Sequence, residues 1–561
     1  NVGLNDKYGG DFLINYRGTI YTAYMSINYN NWSFSGEGES ENRTYNGDTT
    51  SYILSRGTSS FRHNPFGLRG GIDLNLSTQN RLSLGGQYSK RSMSRTSNND
   101  HDEWTDPGNI HDIYISQDSS QHSHDFYSLN ADYVHHFMPK DHDLSAQVDI
   151  TRRHSREESW YELVDANNSI FDGQLSSEET PATILRLKFD YTLPFNKNNK
   201  FETGYQSRIN RSGATYDVYT YDTLVRDYLF NPEYSNTTDY EREIHSLYGL
   251  YSGKYGNLGY QGGLRGEYEN RKIELIGENA IYPIDHVDYF PTVHVSYQFT
   301  GGHQLMASYA RRIERARMWW LEPFLTWMDA NNVRRGNPAL RPENIDSYEL
   351  GFQTLIGRSS LSIEAYHRIT HNKVEQTSIL YDDDIILRTV ENIGTDYSTG
   401  IELMMDLKFL KWWNPNLMLN LYDYRIHGEL YEEPIAREDM NWGLRLNNEF
   451  KPFENTKIQL NGRYSSPSIT AQGERSGFFM TDAAIKQEFF GRRLTATLQV
   501  RDLLGSVAHE NTTESSDFYS HSSFTRESPV IMLNISYNFN DYKPKRREEN
   551  NQIEVESIEE Y

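Results

Sequence analysis

Cysteine is absent from all 561 residues, so no disulfide braces the fold and the redox compartment leaves no trace in the chain. Apolar residues make up only 36% of it, and no run of 18 occurs, which excludes a membrane-spanning helix. Basic side chains number 55 against 78 acidic ones, a net charge of −23. Such a surface repels phosphate, and no nucleic-acid partner is expected. No GxSxG, HExxH or P-loop is present. No catalytic residue is therefore expected, although a Ser/His/acid arrangement across a wall would not reveal itself by spacing. Before the tail no Pro/Gly/Ser linker or change of composition divides the chain. The sequence begins at Asn1 with neither Met nor an apolar leader, and reads as a mature or trimmed piece whose export has to be inferred.

What the chain has is aromatic side chains, 13% of residues with 41 Tyr, which argues against disorder. It also has alternation. Leu185, Leu187, Phe189, Tyr191 and Leu193 alternate with Arg186, Lys188, Asp190 and Thr192. Ile531, Leu533, Ile535, Tyr537 and Phe539 alternate with Met532, Asn534, Ser536 and Asn538. Period-2 patterning with charge on the second face predicts strands that meet lipid on one side and water on the other. A transmembrane antiparallel β-barrel reconciles that pattern with a polar average.

Segments of this kind lie near 8–17, 20–29, 32–45, 62–77, 80–96, 122–138, 142–160, 181–194, 199–217, 240–254, 258–275, 288–299, 303–316, 345–356, 360–376, 386–410, 415–430, 440–452, 456–471, 476–490, 493–508 and 524–540, which makes 22 strands. An even count suits a single-chain bacterial barrel, and this one matches plugged outer-membrane transporters. Tight turns are expected at Asn30–Asn31, Thr78–Gln79, Pro139–Asp141, Phe195–Asn198, Gly256–Asn257, Thr300–Gly302, Gly357–Ser359 and Gly491–Arg492. Long polar loops are expected near 46–61, 97–121, 161–180, 218–239, 276–287, 317–344 and 509–523. The short set is assigned to the periplasm and the long set to the outside. Residues 1–540 form the barrel, and 541–561 a disordered, charged periplasmic tail. Trp32, Trp412, Trp413 and Trp442 are candidates for an aromatic girdle at the lipid boundary.

The stretch from Arg317 to Asn344 carries Trp319, Trp320, Trp327, Phe324, Arg334 and Arg335. In water it would expose a large apolar patch, so it is expected to fold inward or cover something. It either packs on the wall, a plug or a partner, or stacks its rings on a ligand. Lumen-facing charges are expected at Arg69, Asp73, Arg186, Lys188, Asp190, Arg265, Glu267, Arg312, Glu349, Arg445, Glu449, Arg463 and Arg501, as a paired ladder or a solvated face. His122, His124 and Asp125, the pair His135 and His136, and His142 between Asp141 and Asp143 could supply metal ligands. No closed set emerges, so neither a metal nor a cofactor is expected. Asp382–Asp384 is simply a polar loop tip.

The run GNPALRPE, comprising Gly336, Asn337, Pro338, Ala339, Leu340, Arg341, Pro342 and Glu343, is followed by SYELGF with Glu349, Leu350 and Gly351. Together they resemble the barrel signature of TonB-dependent outer-membrane receptors. YARRIERARMWWLEPF is similar to the Bacteroidetes-type outer membrane beta-barrel branch of that group. ENIGTDYSTGIELMMDLKF (Glu391 to Phe409) and the final ISYNF fall where that branch has comparable segments. In GNPALRPE, Gly336 and the prolines read as a rigid turn, with Arg341 able to pair with Glu343. The resemblance implies an active transporter for an iron chelate, glycan or peptide in a Gram-negative outer membrane. Its partners would be outer-membrane lipid, an N-terminal plug and a TonB-type energy-coupling protein. The stretch in hand starts at the first barrel strand, so the plug is expected to be missing from it. The alternative is a barrel subunit of an envelope machine for surface-protein assembly or secretion, docking lipoproteins or other envelope proteins.

Overall fold

A computed structural model describes residues 1–138, 141–382, 385–408 and 410–540. The expected tail 541–561, most of the 139–141 turn, the tip residues 383–384 and the end of the 391–409 segment lie outside the described residues. The described residues form one closed antiparallel barrel of 22 strands. In order they are β1 Val2–Gly3, β2 Lys7–Arg17, β3 Tyr21–Asn46, β4 Thr49–Asn75, β5 Asn80–Asp106, β6 Asp112–His136, β7 Asp143–Val164, β8 Ile170–Asn196, β9 Asn199–Asp222, β10 Asn236–Tyr255 and β11 Leu258–Leu275. They continue as β12 Ala280–Gln298, β13 Gln304–Glu314, β14 Glu343–Ile356, β15 Ser359–Asp382, β16 Ile385–Asp406, β17 Trp413–Leu430, β18 Glu433–Phe453, β19 Thr456–Ser465, β20 Phe478–Phe489, β21 Leu494–Arg501 and β22 Val530–Tyr537.

The expected strand number is right for a compensated reason. Segments 20–29 and 32–45 are one strand, β3, and Asn30–Asn31 is extended chain, not a turn. The Asn31 amide bonds the Asp6 carbonyl, so a pair of turn-forming residues is held straight by tertiary contact. The missing strand is β1, two residues long. Val2 pairs with both Tyr8 and Leu533, which joins β2 to β22 and closes the ring.

Several expected loops are strand. Most of 46–61, 97–121 and 161–180 continues the β3–β8 ladders, with turns only at 47–48, 107–111 and 165–169. Much of 218–239 likewise extends β9 and β10. A ladder that has left the lipid can be polar on both faces, so its sequence looks like loop. At about 3.3 Å per residue and a tilt near 40°, a 27-residue strand makes a wall roughly 65 Å tall, against an apolar band of about 25 Å. The surplus lies at the end opposite the short turns 76–79, 197–198, 256–257 and 357–358. Where β20–β22 and β1–β2 are short, the hairpin Ala508–Glu514 and Phe518–Arg526 completes the tall wall by pairing with Gly36–Thr44 of β3 and with Gly473–Arg475.

The outward face carries rings at matching heights. Phe66, Tyr88 and Tyr127 follow one another across β4–β6, and Tyr309, Tyr348, His367, Tyr397 and His427 across β13–β17. Trp412 and Trp413 stack with Phe450 at the short-turn end, and Trp442 packs on Tyr464. Trp32 is not at a turn, because the turn that would have put it there does not exist. It lies within β3 with the Arg501 guanidinium 5.6 Å from its ring centre.

Candidate functional site: the loop across the lumen

Residues 315–342, between β13 and β14, fold into the barrel and cross it. Both stems are clamped to the wall. Arg315 donates Nη2 to Glu267 at 2.7 Å and Nε to Glu269 at 2.6 Å, both carboxylates on β11. Arg271, two residues further along the same face, donates to the Pro338 carbonyl at 2.9 Å and the Leu340 carbonyl at 3.5 Å. Buried carboxylates and guanidiniums need such partners, since an isolated charge in this setting is costly. Around the clamp lies an apolar cluster in which Ala316, Leu321 and Leu340 of the loop pack on Tyr240, Ile273, Val374 and Val390 of four strands.

The two halves of the loop are stitched together. Gly336 N–H donates to the Glu322 carbonyl at 2.8 Å and Asn337 N–H to the Trp320 carbonyl at 2.6 Å. Asn337 also donates to Glu391 at 2.8 Å, while the backbone of Arg341 exchanges two hydrogen bonds with the Asn392 side chain. GNPALRPE thus docks on β16. The Glu343 carboxylate faces Lys373 at 3.2 Å and accepts the Val374 N–H, so the expected Arg341–Glu343 pair is replaced by a cross-strand partner.

Beyond the stems the tip is a hairpin, Thr326–Asp329 and Asn332–Arg334, whose second arm pairs in parallel with Ile386–Arg388 of β16. Ala330 at its turn packs on Tyr114, Tyr161 and Leu163 of β6 and β7. Strands β6 and β16 stand ten apart in a ring of 22, so one segment ties nearly opposite walls. Phe324 stacks on Tyr216 of β9 at 5.6 Å, and Trp327 meets Tyr234 edge-on.

At the centre is Arg334. Its guanidinium lies 3.7 Å from Glu178 of β8 and 3.8 Å from Glu322 of the loop, with the Trp319 ring at 5.7 Å. Glu157 of β7 stands nearby, 3.6 Å from His122. Glu322 is buried, and its Oε2 has no hydrogen-bond donor. Burial first, then Glu178 and Glu157, push its carboxyl up to about 8 against the pull of Arg334. The arrangement can close the lumen and hold one proton in the closure. Trp320 receives Arg317 over its ring at 5.7 Å, whereas Arg335 is exposed. The indole N–H groups of Trp320 and Trp327 are buried without an acceptor.

Facing follows from these contacts. Ile273 packs on the loop, so Arg265 and Glu267, of the same parity on β11, look inward, and Leu264 looks out. The same register puts Arg69, Asp73, Arg186, Lys188, Asp190, Arg312, Glu349, Arg445 and Glu449 on the face of the sheet that carries Arg265 and Glu267. Several are paired locally: Arg265 with Glu267 at 2.5 Å, Lys188 with Asp190 at 3.1 Å, and Glu449 with Lys451 and Lys457 at 2.7 and 3.2 Å. Glu349 accepts from Ser308 at 2.8 Å and Arg69 lies over Tyr24. The histidines considered for metal find other company: His124 with Ser155, His135 with Asn80, His136 with Asp143 and His142 with Tyr191. Among the described residues no group of three or more His, Asp or Glu is placed to hold a metal ion. Arg315, Arg271, Glu322, Glu178 and Tyr216 escaped sequence reasoning, because nothing local marks a strand residue that a distant loop will cover.

The same fold occurs in the ferripyoverdine receptor of the outer membrane of Pseudomonas aeruginosa bound to ferripyoverdine, at TM-score 0.52 and 11% identity over 94% of this chain and 72% of that one. It occurs in P. aeruginosa FpvA bound to an iron-loaded heterologous pyoverdine, at 0.52 and 11% over 91% and 76%. The FpvAI–pyocin S2 complex matches at 0.52 and 11% over 91% and 78%. No curated protein matches in sequence. Residues 135–537 match the family described as outer membrane protein beta-barrel family, and the chain belongs to it as a barrel of the Gram-negative outer membrane.

Proposed function

We propose that the chain is the barrel of an active nutrient receptor that takes up an iron chelate, glycan or peptide. It works with a plug and a TonB-type energy-coupling protein, as the sequence resemblance implies. The observation that carries this reading is the clamped loop: a barrel this wide would be an open channel, and residues 315–342 obstruct it from one side while leaving a charged lumen beneath. Trp319, Trp320, Trp327, Arg334 and Arg335 form the proposed ligand-contact or plug-contact set, of which Arg335 is the most exposed. Uptake of labelled ferric chelates, oligosaccharides and peptides by cells with and without the protein tests it. One class should accumulate only with the protein, and only while the proton-motive force is maintained. Uptake indifferent to collapse of that force would overturn the proposal.

A second reading, a barrel subunit of an envelope assembly, draws on the tall wall and its exposed apolar tips at Ile110 and Leu224. Stable co-purification with surface lipoproteins and no uptake of any class would favour it.

A further inference from the structure

The outward face of β5–β9 carries a basic patch at the height of the aromatic girdle. Tyr161 packs on the lumen loop and Tyr216 on Phe324, so Arg152 on β7 and Arg211 on β9, of opposite parity, face outward. One cross-strand row runs Leu68, Tyr88, Tyr127, Arg152, Thr183, Arg211. In the next row, one step further from the short-turn end, Lys90 stands between Phe66 and Asp125, with His154 beyond. Lys90, Arg152 and His154 are exposed, and among the described residues none has an ion-pair partner. Arg211, 69% exposed, has only Glu241 at 3.9 Å.

The far side of the barrel treats such cations differently. There Arg311, one step beyond the Tyr309–Tyr348 pair, is held by Asp346 through two hydrogen bonds, at 2.9 and 2.6 Å. Arg425 is taken by Asp423 at 2.7 Å. A protein of net charge −23 thus leaves Lys90 and Arg152 without an ion pair beside the outward rings, while Asp125 accepts from the Tyr88 hydroxyl at 2.9 Å and Arg156 is taken by Glu158 at 2.7 Å.

We propose that Lys90, Arg152 and Arg211, with Tyr88 and Tyr127 beside them, bind the phosphate groups of an anionic glycolipid in the leaflet on the tall-wall side. The rings lie along the acyl chains, and the cations meet the headgroup charge. The occupant is a lipid and not free phosphate, because the site is half apolar and opens sideways into the membrane.

Native mass spectrometry of the detergent-purified protein with added phosphorylated lipid A tests this. Each cation near an anionic headgroup is worth about five-fold, so Lys90→Gln/Arg152→Gln should weaken retention roughly thirty-fold. Arg56→Gln/Arg226→Gln, exposed charges remote from the girdle, should leave retention unchanged. Lipid A stripped of phosphate should bind the native protein no better than the phosphorylated form binds the double variant. Equal retention by both double variants, or of both lipids, would overturn the proposal. Displacement by millimolar inorganic phosphate alone would reassign the patch to a soluble anion and overturn it equally.

Discussion

A Cβ added to Gly336 would fall 2.6 Å from the Trp320 carbonyl and 2.6 Å from the Glu322 amide nitrogen. The backbones of GNPALRPE and of the Trp-rich segment touch directly at this point, and both hydrogen bonds between them depend on the missing side chain. Gly336→Ala must push the two segments apart, at a cost of about 1–3 kcal/mol. Thermal unfolding in detergent should fall accordingly, with trypsin cutting after Arg335. Gly266→Ala, whose Cβ would meet only the Tyr289 ring at 3.7 Å, should leave both unchanged.

The closure should depend on pH. Glu322 holds its proton more tightly in the docked loop than in the unfolded chain, from an ordinary 4.5 to about 8. A raised carboxyl pKa means the folded state binds the extra proton. Its stabilising effect is therefore complete below about 4.5 and is lost as pH rises through about 8. Hydrogen exchange of the hairpin amides 326–334, corrected for intrinsic chemistry, should quicken several-fold across that interval. Glu322→Gln, neutral throughout, should flatten the profile. A flat profile in the native protein would show that Arg334 keeps Glu322 ionised after all.

Side-chain facing gives a third prediction. Glu178 meets Arg334 inside the lumen, so on β8 Lys188 faces inward and Leu187 faces lipid. Leu187→Arg should cost about 2–4 kcal/mol if it sits near the bilayer midplane. Lys188→Arg, beside Asp190 at 3.1 Å, should be nearly silent. Equal losses in a folding assay into bilayers would reverse the facing.

The sequence predicts that facing because lipid and water impose opposite chemistry on neighbours such as Leu187 and Lys188. The alternation vanishes once a strand leaves the membrane. Ser97, Asn99 and His101 continue β5 as regularly as Leu82 and Leu84 begin it, yet they read as loop. The inward fold of the Trp-rich stretch could be argued from the exposure it would otherwise suffer. Its anchors could not, since Glu178 and Tyr216 acquire their role only when a chain segment more than a hundred residues away arrives. Asn30–Asn31 erred in the other direction: local turn chemistry lost to a ladder that continues on both sides.

The clamp at Arg315 permits the sharpest separation of pairing from packing. Its guanidinium serves Glu267 and Glu269, both nearly inaccessible to solvent at 6% and 3%. Arg315→Met keeps much of the volume and strands the Glu269 carboxylate, while Glu267 retains Arg265. Removing one partner of a buried pair costs about 3–5 kcal/mol, mostly as the penalty of the charge left behind. Arg315→Met/Glu269→Gln removes that charge as well and should recover most of the lost stability. If loop closure resides in the ion pair, both variants should conduct ions in planar bilayers more than the native chain. If it resides in the Leu321 and Leu340 packing, the double variant should be as stable and as closed as the native barrel. Stability measured by denaturant titration, set beside conductance of the same samples, distinguishes the two. We expect recovered stability with raised conductance, because Arg315 fixes the point at which the stem leaves the wall and the apolar cluster does not.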